Sequence, residues 1–104
     1  MRVLITGGSG FIAAWIAKRL ISRGVQRRLF DVTESRHAMR SIAGDETSAK
    51  AEWLEGDIAR LDDVQAAAAD CDAIIHLAGV LTPACKADPT RGAEINLIGT
   101  LNVF

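Results

Sequence analysis

Gly7, Gly8, Ser9, Gly10, Phe11, Ile12 and Ala13 stand in a row that fits two overlapping patterns, G-x-x-G-x-x-A from Gly7 and G-x-G-x-x-A from Gly8. Glycines at these spacings let a backbone turn tightly and approach a pyrophosphate with no Cβ in the way. A helix opening at the same place points unpaired N–H groups at the phosphate charge. Asp31 lies 18 residues beyond Ala13. A carboxylate there accepts hydrogen bonds from ribose hydroxyls and repels a 2′-phosphate, which favours NAD over NADP. Arg36, five residues further on, is the nearby group that could soften this preference. No Gly-Lys-Ser/Thr follows the turn, so a triphosphate-binding P-loop is excluded. The plainer alternative is a simple strand-to-helix turn with a solvated loop acid.

The elements needed to position such a turn are present. Val3-Leu4-Ile5 is a continuous apolar run, as in a strand buried on both faces, and it feeds directly into the glycines. Phe11 to Arg23 follows as a helix with an apolar stripe at Ile12, Trp15, Ile16 and Leu20. Lys18, Arg19 and Arg23 gather towards its end, and Gly24 stops it. Arg27 to Val32 reads as a second strand, weakened by its basic start. Thr33 to Lys50 is polar, with Met39 and Ile42 as its large apolar anchors, and predicts a short helix and a loose loop.

Trp53-Leu54 leads a third strand to Gly56, and Asp62-Asp63 open a helix through Val64 and alanines 66 to 69. The acidic pair there suits the helix dipole and does not read as a catalytic dyad. Ala73 to Ala78 is a fourth buried strand stopped by Gly79. Asp88-Pro89 caps a last helix that carries Ile95, Ile98 and Leu101 on to Phe104. Both tryptophans read as packing residues. This cadence predicts an α/β fold, a Rossmann-type doubly wound parallel sheet of about four strands in the order 3-2-1-4, with helices on both faces.

Composition narrows the partners. The 104 residues carry a formal net charge of −1, without the basic footprint of a nucleic-acid binder. Apolar stretches are broken well before the ~18 residues of a membrane span. Cys71 and Cys85 have no metal-ligand spacing and read as reduced thiols, so the expected location is cytoplasmic and no metal site is assigned.

Thr6-Gly7-Gly8-Ser9-Gly10-Phe11-Ile12-Ala13 resembles the TGxxGFIG signature of the extended short-chain dehydrogenase/reductases, the NAD-dependent epimerase/dehydratase family, with Ala13 in place of the usual last glycine. Three further motifs resemble that family in order. They are Gly56-Asp57-Ile58, His76-Leu77-Ala78-Gly79, and Asn96-Leu97-Ile98-Gly99-Thr100-Leu101-Asn102 with its N-x-x-G-T-x-N pattern. The resemblance covers essentially the whole chain. It implies an NAD-dependent oxidoreductase acting on a sugar, largely nucleotide sugars, and a homodimeric parent enzyme.

The resemblance also implies a set of cofactor-binding residues. Gly7, Gly10, Phe11, Ile12 and Asp31 belong to the first turn and the second strand. Asp57 and Ile58 border the adenine, and Leu77, Ala78 and Gly79 lie beside the central phosphates and nicotinamide ribose. Asn96 ties helix to strand. The plainer alternative for Asp57 is an ordinary strand-end carboxylate, and His76 reads as a hydrogen-bonded structural histidine rather than a proton carrier.

The same family uses a Tyr-x-x-x-Lys pair for proton transfer. This chain has no tyrosine, so no catalytic residue is assigned. The expectation is that residues 1–104 are the first β-α units of a larger enzyme, with the catalytic and substrate-binding part absent. The fourth strand would then be an open apolar edge, with Leu101 and Phe104 exposed, and Leu81 to Arg91 would border the substrate. A non-catalytic dinucleotide-binding or regulatory module is the competing reading, and an α/β domain without a ligand the third.

Overall fold

The computed structural model describes residues 1–104. Strand β1 (Arg2–Thr6) lies between β2 (Gln26–Asp31) and β4 (Ala73–His76), and β3 (Glu52–Glu55) flanks β2, so the parallel order is β3-β2-β1-β4. Thr6 pairs in register with Phe30 on one side and with His76 on the other. The C-terminal ends of the central strands therefore finish level, and the loops that follow them share one edge. This is the expected doubly wound α/β sheet.

Side-chain alternation along β1 and β2 splits the core in two. Val3, Ile5 and Leu29 face α1 (Phe11–Ser22) and α2 (His37–Ala43), packing with Ala13, Ala14, Ala17 and Met39. Leu4 and Phe30 face the other way, against Ile58, Val64 and Ala67 of the segment leading into and through α4 (Leu61–Ala68). Ile95 and Val103 of the last helix complete that side.

The buried face of α1 differs from the predicted stripe. Ala13, Ala14 and Ala17 are at most 1% exposed, whereas Ile12 is 66% and Trp15 59% exposed. Only Ile16 and Leu20 of the stripe pack partly against the core. The helix leaves the strand through a turn so tight that it sits close on the sheet, and only small side chains fit beneath it. Trp15 instead lies along the outer surface with the Lys18 ammonium 5.2 Å from its ring. Trp53 does pack against the core, with the Arg36 guanidinium 5.4 Å over its ring.

Arg28, expected to weaken β2, is buried and occupied. Its Nη1 donates to the carbonyls of Ala67 and Ala69 at 2.7 Å each, and its Nε lies 2.9 Å from Glu52. The last turn of α4 has no basic residue and no glycine cap, so a cation from the sheet satisfies its orphan carbonyls.

The polar segment after β2 forms two helices, α2 and α3 (Asp45–Lys50), in place of a helix and a loop. Gly44, at φ +93°, breaks them apart. Asp45 and Glu46 sit in the first turn of α3 and Lys50 in its last, matching the dipole. A further short helix, α5 (Thr82–Ala87), follows β4, with proline in its first turn. α6 (Pro89–Ala93), a π-helical turn over Glu94–Ile98 and α7 (Gly99–Val103) then run on as one helix. β4 is only half-buried from Ile74 to His76, with Ala73 exposed, because β1 is its single strand neighbour. Leu101 and Phe104 are exposed as expected.

Replacing Ala17 by Leu overfills the α1–sheet contact and should cost about 1–3 kcal/mol in urea denaturation. Trp15→Ser should stay within about 1 kcal/mol of the parent. The opposite ranking would restore the Ile12–Trp15 face as the buried one.

Candidate functional site

The turn after β1 is built from close backbone approaches. Gly7 adopts φ +70°, and a Cβ there would lie 3.0 Å from Ala78 N and from the Leu77 carbonyl carbon. A Cβ on Gly8 would lie 2.8 Å from Leu29 Cβ, and the Gly8 amide donates to the Phe30 carbonyl at 3.0 Å. The turn is thus wedged between β2 and the segment after β4, and a side chain at either glycine would push it out. Gly10 donates to the Gly7 carbonyl at 3.1 Å and occupies the N-cap of α1. No side chain caps that helix, and no acid lies in its first turn. Its leading amides are therefore available to an anionic group.

Asp31, at the end of β2, faces this turn. Its Oδ2 accepts from the Ser9 amide at 3.1 Å and its Oδ1 from the Val32 amide at 2.8 Å. The Gly56 amide donates to the Asp31 carbonyl at 3.0 Å, which draws the loop after β3 alongside. Gly56 must lack a side chain, because a Cβ would meet the Phe30 ring at 2.6 Å.

Asp57 is tightly held. Its amide donates to Asp63 Oδ2 at 2.9 Å, so Asp63 orders this loop as well as opening α4. Its carboxylate accepts from the Ala59 amide at 2.9 Å and from Arg91 Nη2 at 2.8 Å. Burial pushes the Asp57 carboxyl up, but the Ala59 amide and the Arg91 guanidinium outweigh it and hold it below its ordinary value.

Behind Leu77 and Ala78 the hydrogen-bond directions follow by elimination. Thr6 Oγ1 accepts from the amides of Leu77 at 3.0 Å and Ala78 at 3.1 Å, so its own proton goes to His76 Nδ1, 2.7 Å away. His76 therefore carries its proton on Nε2 and donates to Thr100 Oγ1 at 3.1 Å. Thr100 passes its own proton to the Asn96 carbonyl at 2.6 Å. Both ring nitrogens of His76 are satisfied in the neutral state, and burial holds His76 below its ordinary value. This is the structural histidine expected from the sequence.

These loops enclose a cleft of about 270 Å³ at the C-terminal edge of the sheet, where the chain switches direction between β1 and β4. Gly7, Gly10, Asp31, Asp57, Ile58 and the Leu77–Gly79 run line it. Phe11 and Ile12 lie beside it at the start of α1 with their side chains turned to solvent. Asn96 is outside the wall and braces it, its side chain exchanging two hydrogen bonds with the Val80 backbone at 2.8 and 3.0 Å. Gly56, Phe30, Val32, Val80 and Ile95 complete the lining, and the last four were not marked as site residues by the sequence. Phe30 and Val32 flank Asp31, so the neighbourhood of that acid was the available signal.

The family model described as NAD dependent epimerase/dehydratase family matches residues 3–104. The bifunctional UDP-glucose 4-epimerase and UDP-xylose 4-epimerase 3 of Arabidopsis thaliana is 31% identical over 98% of this chain and 31% of its own length. The 3-beta-hydroxysteroid dehydrogenase of Mycolicibacterium neoaurum is 34% identical over 98% of this chain and 27% of its own length. The structure of UDP-glucose 4-epimerase from Thermus thermophilus in complex with NAD matches with a TM-score of 0.77 and 29% identity, over 99% of this chain and 32% of that one. The chain spans about a third of the length of the curated relatives it matches.

His76 yields a test of the hydrogen-bond chain. A histidine whose folded-state value is lowered stabilises the fold above its ordinary value of 6.5, and that contribution is lost as pH falls through the folded-state midpoint. Proton NMR titration should give a His76 midpoint below 6.5, with stability to urea falling over the same window. A midpoint at or above 6.5 would contradict the assigned chain of donors.

Proposed function

Because the chain belongs to the NAD dependent epimerase/dehydratase family, we propose that residues 1–104 are the NAD-binding portion of an epimerase/dehydratase-type oxidoreductase. Its substrate is a sugar, in particular a nucleotide sugar. The observation that carries the cofactor reading is one convergence. An uncapped helix N-terminus, the Gly7 backbone with no room for a Cβ, and the anchored Asp31 carboxylate meet at a single cleft. The names of relatives such as UDP-glucose 4-epimerase and CDP-paratose 2-epimerase support the sugar class.

The residues fit the group they would hold. Amides at Phe11 and Ile12 receive the pyrophosphate, which the dipole of the 12-residue α1 favours, and Gly10, its own amide spent on the Gly7 carbonyl, leaves the approach free of a side chain. Asp31 accepts the adenosine ribose hydroxyls and disfavours a 2′-phosphate, hence NAD rather than NADP. Asp57 and Ile58 border the adenine, and Leu77, Ala78 and Gly79 keep the phosphate side of the cleft narrow. NAD, when bound, supplies a hydride acceptor at its nicotinamide ring. The matching acid/base group and the substrate pocket belong to other residues of the whole enzyme, since this chain contains no tyrosine to act in the family's manner. We read that enzyme as a cytoplasmic homodimer.

The same missing tyrosine favours a second reading, a non-catalytic module that binds the dinucleotide and regulates a partner. A Tyr-x-x-x-Lys pair following a fifth strand elsewhere in the coding sequence selects the enzyme, and its absence selects the module.

Calorimetric titration of the folded chain should give NADH binding that exceeds NADPH binding. Asp31→Ala should weaken NADH by about tenfold and narrow the difference, since it removes a charged acceptor and the repulsion together. A folded sample that binds neither dinucleotide, or an unchanged ratio in the variant, would refute the assignment.

A further inference from the structure

Ser9 stands between Gly8 and Gly10, where the glycine pattern specifies no residue type, yet three hydrogen bonds pass through it. Its amide donates to Asp31 Oδ2 at 3.1 Å, its Oγ donates to the Thr33 carbonyl at 2.7 Å, and the Ser35 amide donates back to that Oγ at 3.0 Å. The hydroxyl is thus used in both directions, once as donor and once as acceptor, on two residues of the loop that follows Asp31. That loop makes few other attachments near the cleft. Glu34 and Arg36 pair with each other at 2.9 Å, and Arg36 leans away onto the Ser48 carbonyl and the Trp53 ring.

We infer that Ser9 is a positioning residue for cofactor discrimination, acting through Asp31 and the Thr33–Ser35 loop without itself reading the ribose. The inference rests on the NAD-binding role proposed above. Asp31 takes one of its two hydrogen bonds from Val32, the first residue of that loop, and the other from the Ser9 amide. The Ser9 hydroxyl fixes the loop two and four residues beyond Asp31. With both ends pinned, the carboxylate has a single orientation at the cleft and the loop cannot swing outward. Discrimination against a 2′-phosphate depends on that orientation, because a carboxylate free to turn into solvent is screened and repels less. The hydroxyl therefore sets how strongly Asp31 can choose between the two dinucleotides.

The test is calorimetric titration of NADH and NADPH into the wild-type chain, Ser9→Ala and Ser9→Thr. Ser9→Ala keeps the backbone bond to Asp31 and removes the two loop bonds. It should weaken NADH about threefold to tenfold, weaken NADPH less, and so reduce the preference. Ser9→Thr keeps the hydroxyl and should retain the wild-type preference within about twofold. Ser9→Ala matching wild type, or weakening both dinucleotides equally, would overturn the positioning role while leaving NAD binding intact. A folded wild type that binds neither dinucleotide removes both readings. Should Ser9→Ala not fold, amide exchange in the wild type decides: a Ser35 amide that exchanges more slowly than those of Glu34 and Arg36 supports the link, and equal exchange overturns it.

Discussion

Gly7 and Gly8 hold the turn after β1 against two neighbours at once, the Leu77–Ala78 backbone on one side and β2 on the other, with gaps that no Cβ can share. Much else follows from that closeness. α1 starts directly on the sheet, so alanines rather than Ile12 and Trp15 form its buried face. Its uncapped N-terminus opens onto the cleft instead of solvent. The ends of β1, β2 and β4 finish level, and their loops supply the walls. A larger residue at either glycine would move the helix, the floor and one wall together.

The polar groups around the cleft are mostly committed to the protein. Thr6, His76, Thr100 and Asn96 form one directed chain that ties the floor to the last helix. Asp57 is held by the Ala59 amide and by Arg91. Such satisfied networks make the walls rigid, since any movement would strand a half-buried donor or acceptor. Asp31 differs. Each of its oxygens accepts a single backbone amide and no cation pairs with it, unlike Asp57 with Arg91, so its charge and one lone pair per oxygen stay open to a further donor.

Much of this was legible in the residues. Parallel order, strand positions and the meeting of the glycine turn with Asp31 follow from apolar runs of the right length and from spacing. Periodicity misled at α1, where the larger side chains at Ile12 and Trp15 outweighed alanines in the pattern although the tight turn admits only alanines beneath the helix. Arg28 looked like a liability because its partners are carbonyls 39 and 41 residues away, which no local pattern reveals. The bracing by Arg91 and the three bonds of Ser9 were hidden for the same reason: each depends on a loop brought close only by the finished sheet.

In the proposed binding mode the dinucleotide lies across the β1–β4 switch point with its phosphates at the start of α1. Amide chemical-shift mapping of the folded chain during NAD addition tests this most directly. The predicted result is saturable shifts at Gly7, Gly10, Phe11, Ile12, Val32 and Ile58, with Asp45–Lys50 and the outer face of the last helix unmoved. Shifts confined to those remote segments, with Gly10 to Ile12 unchanged at saturation, would contradict it.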